Sequence, residues 1–307
     1  MRKYKGIDIG RVIFACLIPL LHISFKGAEI EIIRQYLSRL GVPFFFVVAG
    51  MFLVKSVESK GAVEALKQYA LKIGRMLLIW LVIYLPILLL RQEGVTIQEI
   101  VFKTPAYLWY LTGLLAASVP FCLVRNRKML FYASIALYVF GTLFGESYKW
   151  LIGGFPAYES IFLTTRNGLF FALPLMCIGE QTWRKEKPAL PQLALYGGLL
   201  IAEIIFVGAH ASPTDDRSMY FCLPLFMYEF IILCRQWNPE INTRWFGGIS
   251  SAIYLMQFGI ITIVMKCGEI IHVNSPWIQF FTWICVCIIP TVIYLALRKT
   301  KIVKMLF

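Results

Sequence analysis

The chain has 307 residues, of which 59% are hydrophobic and only 15% charged, with a mean hydropathy of +0.72. A soluble domain carries about 25% charged residues, so this composition excludes an ordinary water-soluble globule and suits the bilayer as solvent. The net charge of +13 is not gathered into an aromatic-interleaved patch. It sits at the ends of apolar runs, which reads as topology-setting charge and attraction to anionic membrane lipids, with no nucleic-acid partner expected.

A spanning helix takes roughly 20 mostly apolar residues. Along the chain the apolar runs predict helices near 7–25, 38–54, 76–92, 107–124, 129–145, 167–183, 191–209, 219–234, 249–266 and 277–298. Backbone groups cannot be left bare in lipid, and the long alternation of a barrel is missing, so helices are the economical solution. The expected fold class is all-α: a polytopic integral membrane protein of about ten transmembrane helices, forming one transmembrane domain over 1–307.

Arg2, Lys3 and Lys5 precede the first apolar run as in a signal peptide. His22, Phe25 and Lys26 follow it instead of a small-residue cleavage site, so the run is read as the first transmembrane helix. With the N-terminus inside, 20 of the 30 basic residues fall on the cytoplasmic segments 1–6, 55–75, 125–128, 184–190, 235–248 and 298–307. That bias predicts cytoplasmic N- and C-termini. The stretches 146–166 and 210–218 are polar and are expected outside.

Eight cysteines are scattered, mostly inside apolar runs, with no CxxC pair and only His22, His210 and His272 to assist a metal. They predict small buried side chains, no disulfide framework and no metal site.

Ionisable groups inside a membrane cost roughly 2.5–3.5 kcal/mol each on insertion scales and are functional candidates by default. The first helix holds Asp8, Arg11 and His22. Asp8 and Arg11 are spaced to pair on one face. On a regular helix, His22 lies about 16 Å beyond Arg11 and faces the same way, with Pro19 expected to kink the segment near Ala15. Only ten apolar residues, Val12 to Leu21, separate Arg11 from His22, too few to cross the bilayer. Asp8 and Arg11 can alternatively be an interfacial structural pair, and His22 a satisfied interfacial histidine. A histidine over a polar cavity can serve as general base toward a hydroxyl.

Ile7-Asp8-x-x-Arg11 followed by ten residues and His22 resembles the opening signature of the acyltransferase 3 family of membrane O-acyltransferases. Gly41-Val42-Pro43-Phe44-Phe45-Phe46 with Gly50 resembles that family's second helix. Leu108-Trp109-Tyr110-Leu111, Thr165-Arg166-Asn167-Gly168-Leu169-Phe170-Phe171 and Ile253-Tyr254-Leu255 resemble later segments, so the likeness runs over nearly the whole chain. Ser218-Met219-Tyr220 and Leu223-Pro224-Leu225 resemble the branch that includes the membrane half of membrane-bound serine racemases, without the soluble racemase half.

The resemblance implies ten helices and transfer of an acyl group, often acetyl from acetyl-CoA, onto a hydroxyl of a cell-envelope or exported glycan. Acyl-CoA would be a co-substrate, with no bound cofactor. His22 would assist the acceptor hydroxyl or the donor, and Arg11 would hold the donor or fix the charge of the site, with Asp8 beside it. The family's basic RxxR motif, thought to hold the nucleotide part of CoA, stands here as Lys72-x-x-Arg75, where lysine loses the bidentate geometry. The family's usual histidine after its YLI segment, here Tyr254-Leu255-Met256, is Gln257, a residue that hydrogen-bonds but carries no proton at neutral pH.

Other residues keep two readings. Trp109 and Tyr110 line a substrate cavity or belong to the outer aromatic belt; Arg166 and Asn167 bind an anionic or sugar acceptor or anchor the sixth helix. Glu203 and Glu229 lie in apolar runs and need partners; Glu203 faces Arg11, a polar cavity or a neighbour. Asp215, Asp216 and Arg217 read as a solvated loop, and His272 as a surface residue. The expected function is an O-acyltransferase of the bacterial plasma membrane, acting on a glycan or small-molecule acceptor. A transporter or binding module for a small amino acid such as serine stands as the alternative.

Overall fold

The computed structural model describes residues 4–23, 25, 36–90, 104–145, 147–153, 164–211, 217–271, 277–301 and 303–307. The expectations for Asp215, Asp216 and His272, most of those for 146–166 and 210–218, and the basic residues Arg2, Lys3, Lys26, Arg34, Arg91 and Lys103 lie outside the described residues. Among the described residues the regular structure is entirely helical. Helices stand at each predicted position: α1 Lys5–Leu17, α2 Gly41–Lys60, α3 Ala62–Leu90, α4 Trp109–Leu123, α5 Arg127–Gly145, α6 Leu173–Arg184, α7 Leu190–His210, α8 Cys222–Gln236, α9 Phe246–Ile270 and α10 Trp277–Leu297.

Among the described residues, six segments are long and apolar enough to cross a membrane: Ser38–Lys60, Ala62–Leu90, Arg127–Gly145, Leu190–His210, Phe246–Ile270 and Trp277–Leu297. Many of their large apolar side chains face outward, among them Leu78, Val82, Leu89, Ile201, Ile205 and Val292. Such surfaces are costly in water and natural in lipid. The protein is an integral membrane protein.

Two local expectations are corrected. Residues 55–75 were expected as a cytoplasmic connection, but they are almost wholly helical: α2 runs to Lys60 and α3 starts at Ala62. Gly61 alone separates them, at φ +85°, with its N–H on the carbonyl of Val57 at 2.9 Å. Its left-handed backbone lets one helix end and the next begin without a loop. Gly61→Ala has open space for the methyl but forces a left-handed conformation, and should cost roughly 1–2 kcal/mol in thermal unfolding.

The second correction concerns the first segment, expected as one kinked helix over 7–25. The α-helix stops at Leu17 and continues as a 3-10 turn over Ile18–Leu21, with Pro19 in its first turn. Proline cannot donate to the preceding turn. The carbonyl of Cys16, at the junction, accepts Nε1 of Trp283 at 2.7 Å instead. A 3-10 turn winds about 20° further per residue than an α-helix, so His22 comes out roughly 80° away from the face it shares with Arg11 on a regular helix.

The chain divides into two compact units. The first comprises 1–42, 75–93 and 237–307, the second 43–74 and 94–236. In the first, α1 and α10 both pack on α9. Aromatic donors fasten these helices through backbone carbonyls: Tyr84 to Leu255, Trp80 to Leu306 and Trp283 to Cys16. In the second unit, α4, α5, α6 and α8 enclose a core that includes Phe46, Phe121, Tyr138, Phe171 and Met176, all buried.

Candidate functional site

In the first unit the expected Asp8–Arg11 pair forms: Arg11 Nη1 lies 3.4 Å from Asp8 Oδ1. Both are half-buried, and Thr243 Oγ1 donates to the second Asp8 oxygen at 3.0 Å. Lys5 Nζ donates to the carbonyl of Pro239 at 2.9 Å, and the N–H of Gly6 to that of Trp237 at 3.0 Å. The segment before α9 thus zips onto the start of α1. A shallow pocket of about 410 Å³ opens there, lined by Lys5, Glu240, Ile241, Asn242 and Thr243. The guanidinium continues along α9: a methyl on Gly247 would lie 3.5 Å from Arg11 Nη1.

His22 follows the 3-10 turn and is half-buried, its backbone N–H on the carbonyl of Pro19 at 3.0 Å. Gln257, on α9, is buried to 1% exposure, and among the described residues neither Oε1 nor Nε2 has a hydrogen-bond partner. Lys72 and Arg75 lie one turn apart on α3, both exposed.

In the second unit, Trp109 stands at the first turn of α4. Ala106 and Tyr107 just before it have φ of 57° and 61°, left-handed values that cost of order 1–3 kcal/mol each outside glycine. Thr104 and Thr112 brace this turn, their hydroxyls 2.7 Å apart. Trp109 stacks on Phe171, the ring centroids 6.4 Å apart, and carries the Arg166 guanidinium 4.8 Å above its own ring. Arg166 Nη1 also lies 3.4 Å from Ser218 Oγ. Tyr110 packs on Phe46 at 4.7 Å. These two aromatics belong to the packed core as much as to any interface.

Asn167 is 2% exposed and caps the sixth helical segment. Its Oδ1 accepts from Leu169 N and Phe170 N, and its Nδ2 donates to Thr164 O at 2.8 Å. The helix opens with a wide π turn over Gly168–Ala172 before α6. Most of the Asn167 hydrogen-bonding capacity therefore goes into the cap, while Arg166 presents the charge.

The acyltransferase domain family matches residues 4–297. The chain belongs to the acyltransferase 3 family. It is similar to a serine/alanine racemase of Enterococcus gallinarum, 28% identical over 83% of this chain and 40% of the relative. It is also similar to an amino-acid racemase of Enterococcus faecalis, 24% identical over 98% of this chain and 47% of the relative, and to a second of that name and organism, 34% identical over 58% and 28%. The chain thus spans less than half the length of these relatives. No solved structure matches it significantly.

Several ionic residues of this acyltransferase 3 chain turn out to hold helix ends. Glu203 settles on neighbours within its own unit: it accepts from Tyr148 Oη at 2.8 Å, Phe221 N at 2.7 Å and Cys222 N at 2.8 Å, capping the start of α8. Burial, and then the bond to Glu203, push the Tyr148 phenol well above its usual range, so it remains a donor. Glu229 takes Lys185 Nζ at 2.6 Å and Ala189 N at 2.8 Å at the start of α7. Glu203→Ala strands a phenol and two amides and should cost about 1–3 kcal/mol, read as a lower unfolding temperature in detergent.

Sequence reading passed over Glu180, because one carboxylate near a helix end carries no pattern. In the structure it is 3% exposed, forked by Arg127 and joined by Arg184 Nη2 at 2.9 Å. Arg235 donates to the carbonyls of Thr182 and Trp183 at 2.8 and 2.9 Å, closing the C-terminus of α6. The signal available was the cluster of Arg127, Arg184, Lys185 and Arg235 at predicted helix ends.

Proposed function

We propose that the protein is an O-acyltransferase of the bacterial plasma membrane, moving an acyl group, acetyl foremost, from acyl-CoA to a hydroxyl of a cell-envelope or exported glycan. Ten spanning helices and cytoplasmic termini complete this reading, supported by the bias of basic residues. The observation that carries the proposal is the family match over residues 4–297.

The first unit gives it a base and a charge for the donor. His22 assists the acceptor hydroxyl as general base. Arg11, oriented by Asp8, which Thr243 holds in turn, offers positive charge to the donor. On α3, Lys72 and Arg75 meet the CoA phosphates. Within the second unit, and considered by itself, Arg166 over Trp109 offers a charge to an anionic or sugar acceptor. The test is turnover: purified protein in nanodiscs, given labelled acetyl-CoA and cell-envelope glycan, should release free CoA thiol and label the glycan. Thiol release no faster than in protein-free nanodiscs would reject it.

A second reading, a transporter or binding module for a small amino acid such as serine, is favoured by the names of the relatives and by Gln257 where the family usually has histidine. It expects labelled serine to accumulate in proteoliposomes without any release of CoA.

A further inference from the structure

Gln257 presents a problem that its own fold leaves open. A carboxamide offers one acceptor and two donors and is never charged at neutral pH. At 1% exposure, with neither polar atom partnered among the described residues, it carries a desolvation penalty that none of those residues offsets. Within a membrane protein, bulk water is no ready substitute. A methionine would fill the same space at no such penalty.

Register within the first unit adds a second observation. Contacts between the start of α1 and the chain leading into α9 advance together: Gly6 meets Trp237, Asp8 meets Thr243, and Arg11 lies beside Gly247. The two segments therefore run in the same direction, and α9 also packs on the 3-10 turn that precedes His22. Ten helical residues carry Gln257 about 15 Å beyond Gly247. Six α-helical residues, the four 3-10 residues and one step beyond them carry His22 about 19 Å beyond Arg11. The unpartnered amide and the imidazole thus stand at nearly one level, far from the Asp8–Arg11 end.

We propose that the Gln257 carboxamide is a substrate-binding group, pairing at the level of His22 with a neutral ligand group that both donates and accepts, an amide or a hydroxyl. Either an amide of the pantetheine arm of acyl-CoA or the hydroxyl of a small acceptor offers that chemistry. The inference rests on the acyl-transfer reading only for its donor probe.

Gln257→Met tests it by thermal unfolding in detergent with no ligand, with acetyl-CoA and with L-serine. Without ligand the variant should melt at or above the wild-type temperature, since the stranded amide is gone. The probe that stabilises the wild type should bind the variant about 10-fold or more weakly, and which probe does so identifies the source of the pairing group. A wild type not stabilised by acetyl-CoA removes the donor from the acyl-transfer reading and leaves the role of Gln257 to the serine arm. Three results overturn the inference: a variant that melts below wild type, an undiminished ligand shift in the variant, or no shift of the wild type by either probe.

Discussion

Replacing His22 by alanine is expected to lower acyl transfer by about 10²–10⁴-fold, the range removed with a general acid–base group, with little change in unfolding temperature. The segment that positions His22 is fixed by its backbone: Pro19 sets the 3-10 turn, and the His22 N–H closes on the Pro19 carbonyl. Its neighbours Leu20 and Ile23 are buried while His22 itself is only partly buried, so truncation removes more chemistry than core. His22→Gln keeps hydrogen bonding but cannot take the proton, and should be as slow as His22→Ala. Wild-type CoA release by either variant would dismiss His22 as the base and leave Arg11 as a structural partner of Asp8.

The largest loss of stability should come from adding a single methyl at Gly50 or Gly179. A Cβ on Gly50 would fall 2.1 Å from the carbonyl oxygen of Met176, and one on Gly179 would fall 2.1 Å from that of Val47. The two glycines let the backbones of α2 and α6 touch inside the second unit, the close approach by which membrane helices associate without a hydrophobic driving force. Overpacking a core costs about 1–3 kcal/mol where side chains can move. Here backbone must yield, so Gly50→Ala and Gly179→Ala should each reach about 3 kcal/mol or more. Gly74→Ala on α3, with nothing within 4 Å of the new methyl, is the control and should gain roughly 0.5–1 kcal/mol. Equal unfolding temperatures for Gly50→Ala and Gly74→Ala would show that α2 and α6 do not meet at these glycines.

Much of the helical plan was readable because long apolar runs have few alternatives in lipid. What escaped was local. The pattern of charges made 55–75 look like a connection, since Lys60, Lys67, Lys72 and Arg75 interrupt hydropathy without interrupting a helix. Pro19 announced a disturbance, yet a kink and a change to 3-10 winding look alike in sequence and differ in where they aim His22. The Asp8–Arg11 pair was legible from spacing alone, whereas Thr243 as the holder of Asp8 was not, being 235 residues away. Asn167 was marked by its motif, but whether an asparagine beside an arginine grips a ligand or a helix start depends on backbone geometry that no motif encodes.

The single-residue junction at Gly61 leaves α3 as 29 unbroken residues, about 43 Å of helix, against a hydrocarbon slab of about 30 Å. The surplus carries Lys67 and Lys72, both exposed. Any phosphate-bearing molecule that docks on these lysines meets a rigid rod already in its final shape, with no loop to immobilise on arrival. Capture there should follow ionic strength, weakening as salt shortens the reach of the charges, and should show none of the sluggish association that marks a site assembled only after its visitor has landed.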